Sequence, residues 1–237
     1  MLFLLRHADP IYDPDDITPL GERQAEALAH RLAMYGIDKI YSSSSTRAIK
    51  TAKHTAEMTK RDIEVLDWCH EAHVWNDLAV RRDDGVLTWC FYHPAFMEFF
   101  QTKEIKDLGT RWYDHKAFES TNFKDGFLRV QRETDALMES LGYRHSHARG
   151  GYIPVAPNQK RVALFAHHGF GMAFLSALLD IPYPMLGTHF EISHTGMTVI
   201  EFPENDRLVI PKVLQLSNDS HLYRAGIVTA YNNGIKF

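Results

Sequence analysis

Only two cysteines, Cys69 and Cys90, occur in the 237 residues, too few for a disulfide framework. No apolar run approaches the about 18 residues of a membrane-spanning helix, and the N-terminus has no basic stretch followed by an apolar segment of signal length. Neither sign of charge dominates: 26 Lys and Arg stand against 30 Asp and Glu, for a net charge of −4. Without a basic run or a general positive field, nucleic acid is not an expected partner. Internal repeats and low-complexity segments are lacking as well. These absences lead us to expect a cytoplasmic protein with no membrane partner. What is present is an ordinary core, at 45% hydrophobic residues, and an unusual 14 histidines. The length suits one large domain, or a domain with a sizeable insertion.

Chemistry first shows in Met1–Pro10, MLFLLRHADP. Leu2–Leu5 is a continuous apolar run of the kind a doubly covered strand requires, so Arg6 and His7 emerge where that strand ends. In an open α/β sheet, ligands bind at that edge. A guanidinium matches phosphate oxygens in a bidentate way, and a neutral imidazole beside it is a nucleophile toward phosphorus. The pair reads as a phosphate site.

Further along, Ile11–Ile17 reads as a polar loop, and Thr18-Pro19 as the cap and first residue of a helix. That helix carries the stripe Leu20, Gln24, Leu28, Leu32 and Tyr35 and closes at Gly36. Ile37–Ser42 is a second strand, with Thr46 an N-cap and Arg47 opening a second helix. Its small residues Ala48, Ala52, Thr55 and Ala56 suit close packing on a sheet, and Asp62–Leu66 is a third strand. Alternating strands and helices imply parallel pairing. All four tryptophans then fall between Trp68 and Phe127, among charges and without a strand-like alternation. We read this as an insertion whose aromatics form a small core rather than a binding cage. Asp125–Leu141 is an amphipathic helix, Tyr143–Pro157 a loop or hairpin, Arg161–Ala166 a strand, and Met172–Leu179 a helix. Thr195–Phe202 and Leu208–Leu216 read as a late edge hairpin. The expected fold is α/β, a three-layer sandwich whose mostly parallel sheet is flanked by helices. A largely helical insertion, residues 72–158, lies over the carboxyl ends of the strands of a single 1–237 domain.

Three features thus converge on strand ends: Arg6-His7, the turn from Ser42 to Arg47, and His167-His168-Gly169. A transferring phosphoryl group spreads negative charge over its oxygens and needs fixed cations and oriented N–H donors. Arg6, Arg47 and His168 are the candidate cations. The first turn of the Arg47 helix adds about half a positive charge, and Gly169 allows close approach of backbone N–H groups.

In this pattern the chain resembles the histidine phosphatase superfamily, with its phosphoglycerate mutase-like fold. The resemblance rests on LLRHADP (4–10), ITPLGERQAEALAHRL (17–32), IYSSSSTRAIKTA (40–52), a carboxylate near Glu71, and VALFAHHGFG (162–171), in the family's order. It implies that His7 is the nucleophile that becomes phosphohistidine, and that Glu71 donates a proton to the leaving oxygen. Arg6, Arg47, His168 and Gly169 would bind the phosphoryl group with His7. Asp67 is a second acid in the same stretch, and the family's spacing beyond the third strand selects Glu71. The implied activity is phosphomonoester hydrolysis of a small phosphorylated metabolite, with no cofactor and no metal. A phosphoglycerate-type phosphomutase is the alternative enzyme, and a non-catalytic module that binds a phospho-ligand is the alternative from another class.

Two departures from the family bear on these expectations. Ala8 follows the nucleophile where the family has Gly, which would strain a backbone with positive φ. His167 is an extra histidine beside the His168 chosen for the pocket, and the glycine after His168 decides that choice. His70-Glu71-Ala72-His73 spaces its histidines three apart, whereas a zinc-binding helix needs four. His145 and His147, with Arg144 and Arg149, read as an exposed polar turn, with a phosphate-attracting flap as the alternative. Oligomeric state carries no mark in the sequence.

Overall fold

In the computed structural model, which describes residues 1–229, the N-terminal apolar run is strand β1 (Leu2–Arg6), buried along its whole length. The expected 1–237 domain therefore includes positions 230–237 that lie outside the described residues. Where a loop was anticipated, the chain makes a small antiparallel hairpin, β2 (Pro10–Tyr12) with β3 (Asp15–Ile17). Helix α1 (Pro19–Tyr35) has the anticipated ends. Thr18 Oγ1 accepts from the Gly21 N–H at 3.0 Å, and Gly36 closes the helix in the left-handed region at φ 73°. Strand β4 (Lys39–Ser43) leads into α2 (Thr46–Thr59). The cap of α2 is Ser45 rather than Thr46, since the Ser45 hydroxyl accepts from the Ala48 N–H. β5 (Ile63–Leu66) follows.

The segment 72–158 is mostly helical: α3 (Glu71–Leu78), α4 (Pro94–Phe100), α5 (Lys103–Leu108) and α6 (Phe123–Ser140). It also holds two hairpins, β6 (Ala79–Arg81) with β7 (Leu87–Trp89) and β8 (Tyr143–Ser146) with β9 (Gly151–Pro154). Strands of three residues are too short to display an alternation, which is why β6 and β7 left no readable pattern. The chain then re-enters the sheet as β10 (Val162–Ala166) and leaves through α7 (His168–Leu179) and α8 (Tyr183–His189). Strands β11 (Met197–Glu201) and β12 (Lys212–Asn218) and the short α9 (Ser220–Arg224) complete the described chain.

The central sheet has the order β12-β11-β1-β10-β4-β5. β1, β10, β4 and β5 run parallel, and at one edge β11 is reversed, pairing antiparallel with both β1 and the outermost β12. The period of two in the strands sets the layers. Phe3, Leu5, Ile40 and Phe165 face α1 and α2 through Leu28, Leu32 and Ala52, while Leu2, Leu4, Tyr41 and Leu164 face the opposite layer. That second layer joins α7 to the aromatics of the segment 72–158, including the fully buried Trp112, Phe100 and Phe123, in one continuous core. Among the described residues, no helix is long and apolar enough to cross a membrane.

Candidate active site

Register brings the site together. β1 lies beside β10 with Arg6 opposite Ala166, and β10 beside β4 with Phe165 opposite Ser42, so the next residues of each strand meet at one edge. His7 and His167 consequently lie ring to ring, 5.2 Å between centroids. The His7 Nδ1–H donates to the Ala8 carbonyl at 2.8 Å, which leaves the Nε2 lone pair free. Burial drives the His7 pKa well below its ordinary value, and the neighbouring His167 and the Arg6 and Arg47 charges push the same way. The ring is a neutral imidazole.

Arg6 is buried at the end of β1, where Nη1 donates to the Ile192 carbonyl at 2.6 Å. Arg47 is the second residue of α2. It is gripped by the hairpin that replaces the expected loop: Nη1 donates to Asp15 at 2.6 Å, and Asp15 also accepts the Thr46 N–H at 2.7 Å. Its Nη2 donates to His167 Nδ1 at 3.1 Å. Glu71, the first residue of α3, accepts the Phe170 N–H at 2.9 Å and has its other oxygen 3.4 Å from His167. Burial lifts its pKa to about 7, against the Phe170 N–H and the Arg47 and Arg6 charges. Asp67, the other acid of that stretch, points away from the pocket. Its side chain is 76% exposed, and hydrogen bonds from Ser44 and His73 lower its pKa.

His168 and His167 do not occupy the places the sequence suggested. The glycine after His168 selected that residue, but α7 begins at His168, four residues ahead of the expected Met172, so His167 alone continues the strand end. His167 is the histidine set among His7, Arg47 and Glu71, with its Nε2 against Ser43 Oγ at 2.8 Å. The His168 ring borders the same cavity but lies against Tyr92, at 3.0 Å, and Glu191, at 3.3 Å. Neither is the cation anticipated for His168. Burial, first, and nearby arginines push both pKa values well below the usual histidine value. Gly169 is also differently engaged. A Cβ there would stand 2.1 Å from Trp89 Cζ2, so the residue is needed for the indole to pack against α7.

Ala8 carries no strain. Among the described residues, the non-glycine positions with positive φ are Lys60, Asp180, Thr195 and Ser217, and Ala8 is not one of them. His145 and His147, read as a turn or a flap, sit by Asp180 at the opposite end of α7 from His168.

The cavity over these groups has a volume of about 520 Å³ and is walled by Tyr12, Trp75, Trp89 and Tyr92. The aromatics of 72–158 thus divide between core and cavity wall. Sequence reasoning missed His194. Its buried ring lies 5.7 Å from that of His7, neither nitrogen has a hydrogen-bond partner although Nδ1 lies 3.6 Å from Asp9, and burial lowers its pKa to about 2. β11 runs antiparallel to β1, so the loop that enters β11, rather than its exit, is delivered to the site. Tyr92 and Glu191, hydrogen-bonded to each other, were missed for a similar reason, since only tertiary packing brings them to His168. Ligand atoms of His7, Glu71 and His167 lie within 4.8 Å of one another. The buried guanidinium groups of Arg6 and Arg47 beside them favour an anion there over a metal cation. The arrangement can hold a phosphoryl group on two guanidinium groups, attack it with an imidazole, and protonate a leaving oxygen.

Residues 2–85 match the model of the histidine phosphatase superfamily (branch 1). A Hydrogenobacter thermophilus protein provisionally named phosphoserine phosphatase 2 is 32% identical over 105 residues, 37% of this chain and 51% of that protein. The chain thus matches about half the length of this curated relative. Among solved structures, the phosphoserine phosphatase of Entamoeba histolytica in complex with 3-phosphoglyceric acid superposes with a TM-score of 0.58 at 18% identity, covering 93% of this chain and 98% of that one. A mycobacterial glucosyl-3-phosphoglycerate phosphatase with inorganic phosphate gives a TM-score of 0.59 at 18% identity, over 93% and 98% of the two chains. At these identities the structural likeness shows a shared fold.

Proposed function

We propose, on the premise that this chain belongs to the histidine phosphatase superfamily, that it is a cytoplasmic phosphomonoester hydrolase, independent of metal, acting on a small phosphorylated metabolite through a phosphohistidine. The observation that carries this reading is the His7 imidazole: neutral, held by Ala8 through Nδ1, and flanked by two buried guanidinium groups at the ends of parallel strands. Relatives named for phosphoserine and glucosyl-3-phosphoglycerate phosphatases support a small phosphorylated substrate. Two free, buried cysteines suit a reducing compartment.

In the first step His7 Nε2 attacks phosphorus, the bond from phosphorus to the substrate oxygen breaks, and that oxygen takes the Glu71 proton. In the second, water attacks the phosphohistidine, the Glu71 carboxylate takes its proton, and the P–N bond returns its electrons to Nε2. Arg6 and Arg47 bind the phosphoryl oxygens throughout. His167 has the position we assign to the third phosphate ligand, the role the sequence suggested for His168. An incoming phosphate supplies the negative charge that allows this imidazole to carry a proton. His168, with Tyr92 and Glu191, forms the wall beside Arg6. Residues 1–237 are read as one phosphoglycerate mutase-like domain in which 72–158 caps the strand ends and supplies Trp75, Trp89 and Tyr92 to shape the substrate's organic part.

The test is hydrolysis of 4-nitrophenyl phosphate in excess EDTA, with wild type beside His7→Ala. Release of inorganic phosphate that survives the chelator and disappears in the variant is the expected result. Activity abolished by EDTA and restored by a metal would overturn the mechanism.

A further inference from the structure

A second cluster of ligating side chains lies away from this pocket. It gathers where β8, α6 and the end of α7 meet, one helix length from His168: α7 has 12 residues, about 18 Å at 1.5 Å per residue. His145 lies in β8 and His147 in the turn just beyond its end, and their ring centroids are 4.0 Å apart. Asp135 comes from α6, and Asp180 caps α7 in the left-handed conformation at φ 52°. Asp135 stands on one side of the rings, 2.8 Å from His145 Nδ1 and 2.9 Å from His147 Nε2. Asp180 stands on the other, 3.0 Å from His145 Nε2 and 3.6 Å from His147 Nδ1.

We propose that Asp135, His145 and His147 bind a divalent transition-metal cation of the zinc class, with Asp180 as the outer carboxylate that fixes both rings. The division of the nitrogens is the argument. Each ring turns one nitrogen toward Asp135 and the other toward Asp180, so a cation taking the Asp135 side leaves each far nitrogen facing a carboxylate that orients the ring and fixes its tautomer. Ligand atoms of Asp135 and the two histidines lie within 4.8 Å of one another. A tetrahedral Zn²⁺ with bonds of about 2.0–2.1 Å separates its donors by roughly 3.4 Å, so small side-chain shifts suffice. His145 is buried, which makes half of the site rigid, while the His147 side chain is 47% exposed and leaves a path for the ion and a place for a water ligand.

Charge separates this cluster from the other three-donor group. At the pocket, Arg47 lies 3.1 Å from His167 and opposes a cation. Near β8, Arg144 is paired with Glu139 at 2.9 Å and Arg149 reaches the Arg207 carbonyl at 3.5 Å. Their charges are directed elsewhere, and two carboxylates face the rings.

The experiment is calorimetric titration of the full chain, stripped with chelator and desalted, with zinc chloride. Cobalt(II) absorption serves as the signature of a tetrahedral nitrogen and oxygen site. Wild type is expected to bind one ion at this site. His147→Ala should weaken binding at least a hundredfold while hydrolysis of 4-nitrophenyl phosphate stays within twofold, and His7→Ala should leave the affinity unchanged. Asp180→Asn keeps a residue suited to the left-handed cap and should weaken binding about 10- to 100-fold through the lost ring support. No binding by wild type would overturn the proposal and leave a charge-balanced histidine–aspartate tetrad. Binding that survives His147→Ala and vanishes in His7→Ala would overturn it too, placing the metal in the phosphate pocket.

Discussion

Glu71→Gln keeps the shape of the side chain and an acceptor for the Phe170 N–H, and removes the proton that titrates. Two effects follow from a carboxyl lifted from 4.5 to about 7 by burial. The first is kinetic. An alkoxide needs a proton as it leaves, so kcat on an alkyl phosphate should fall by about 10²–10⁴-fold. Nitrophenolate departs unprotonated, and its ester should lose far less. In wild type, kcat/KM on the alkyl phosphate should decline tenfold per pH unit above about 7 as Glu71 ionises in the free enzyme. His7, whose pKa lies well below the ordinary value, stays unprotonated through the acid side of that range. The Gln variant should lack the alkaline limb. The second effect is on stability. Because the folded pKa lies above the unfolded one, the Glu71 contribution is fully present below pH 4.5 and is lost as pH rises to about 7. The loss is worth about 3 kcal/mol for this largely buried group. Urea unfolding should find the Gln variant gaining about that much on wild type between pH 4.5 and pH 8. An equal loss on both leaving groups, with a stability difference that does not change with pH, would refute the assignment of Glu71 as a buried general acid.

His167→Asn should lower kcat/KM by about 10²–10³-fold, as expected for a lost phosphate ligand, and His168→Asn by less than about tenfold; the reverse order in steady-state assays would return the role to His168. His7→Ala should yield no acid-labile phosphoenzyme in rapid-quench experiments with labelled substrate, whereas wild type should. Gly169→Ala drives a methyl into the Trp89 indole and should cost about 1–3 kcal/mol, read as a lowered Tm; an unchanged Tm would show that the indole is not wedged there. Ala8→Gly should lower stability by up to about 1 kcal/mol without raising turnover, since the native backbone at Ala8 does not need glycine.

What was legible in the sequence was local. Leu2–Leu5 marked a buried strand and so placed Arg6 and His7 at its end, and Thr18, Pro19 and Gly36 bounded α1 because caps depend on neighbouring residues alone. The Ser and Thr run before Arg47 and the lone acids after β5 narrowed the site to a few candidates for the same reason. Which candidate faces the phosphate was a tertiary matter. His167 and His168 are adjacent and chemically identical, and the choice between them turns on α7 starting at the second of the pair. Helix onset here follows packing of Trp89 against Gly169 and of Glu71 on the Phe170 N–H, both contacts made by distant chain. His194 entered the site only because an antiparallel strand presents its beginning where its parallel neighbours present their ends. The Glu71 pKa near 7 likewise depends on burial among groups from three other segments, β1, α2 and α7. Local sequence names the reactive side chains; their orientation, protonation and company follow from long-range packing, because desolvation and register are properties of the assembled sheet.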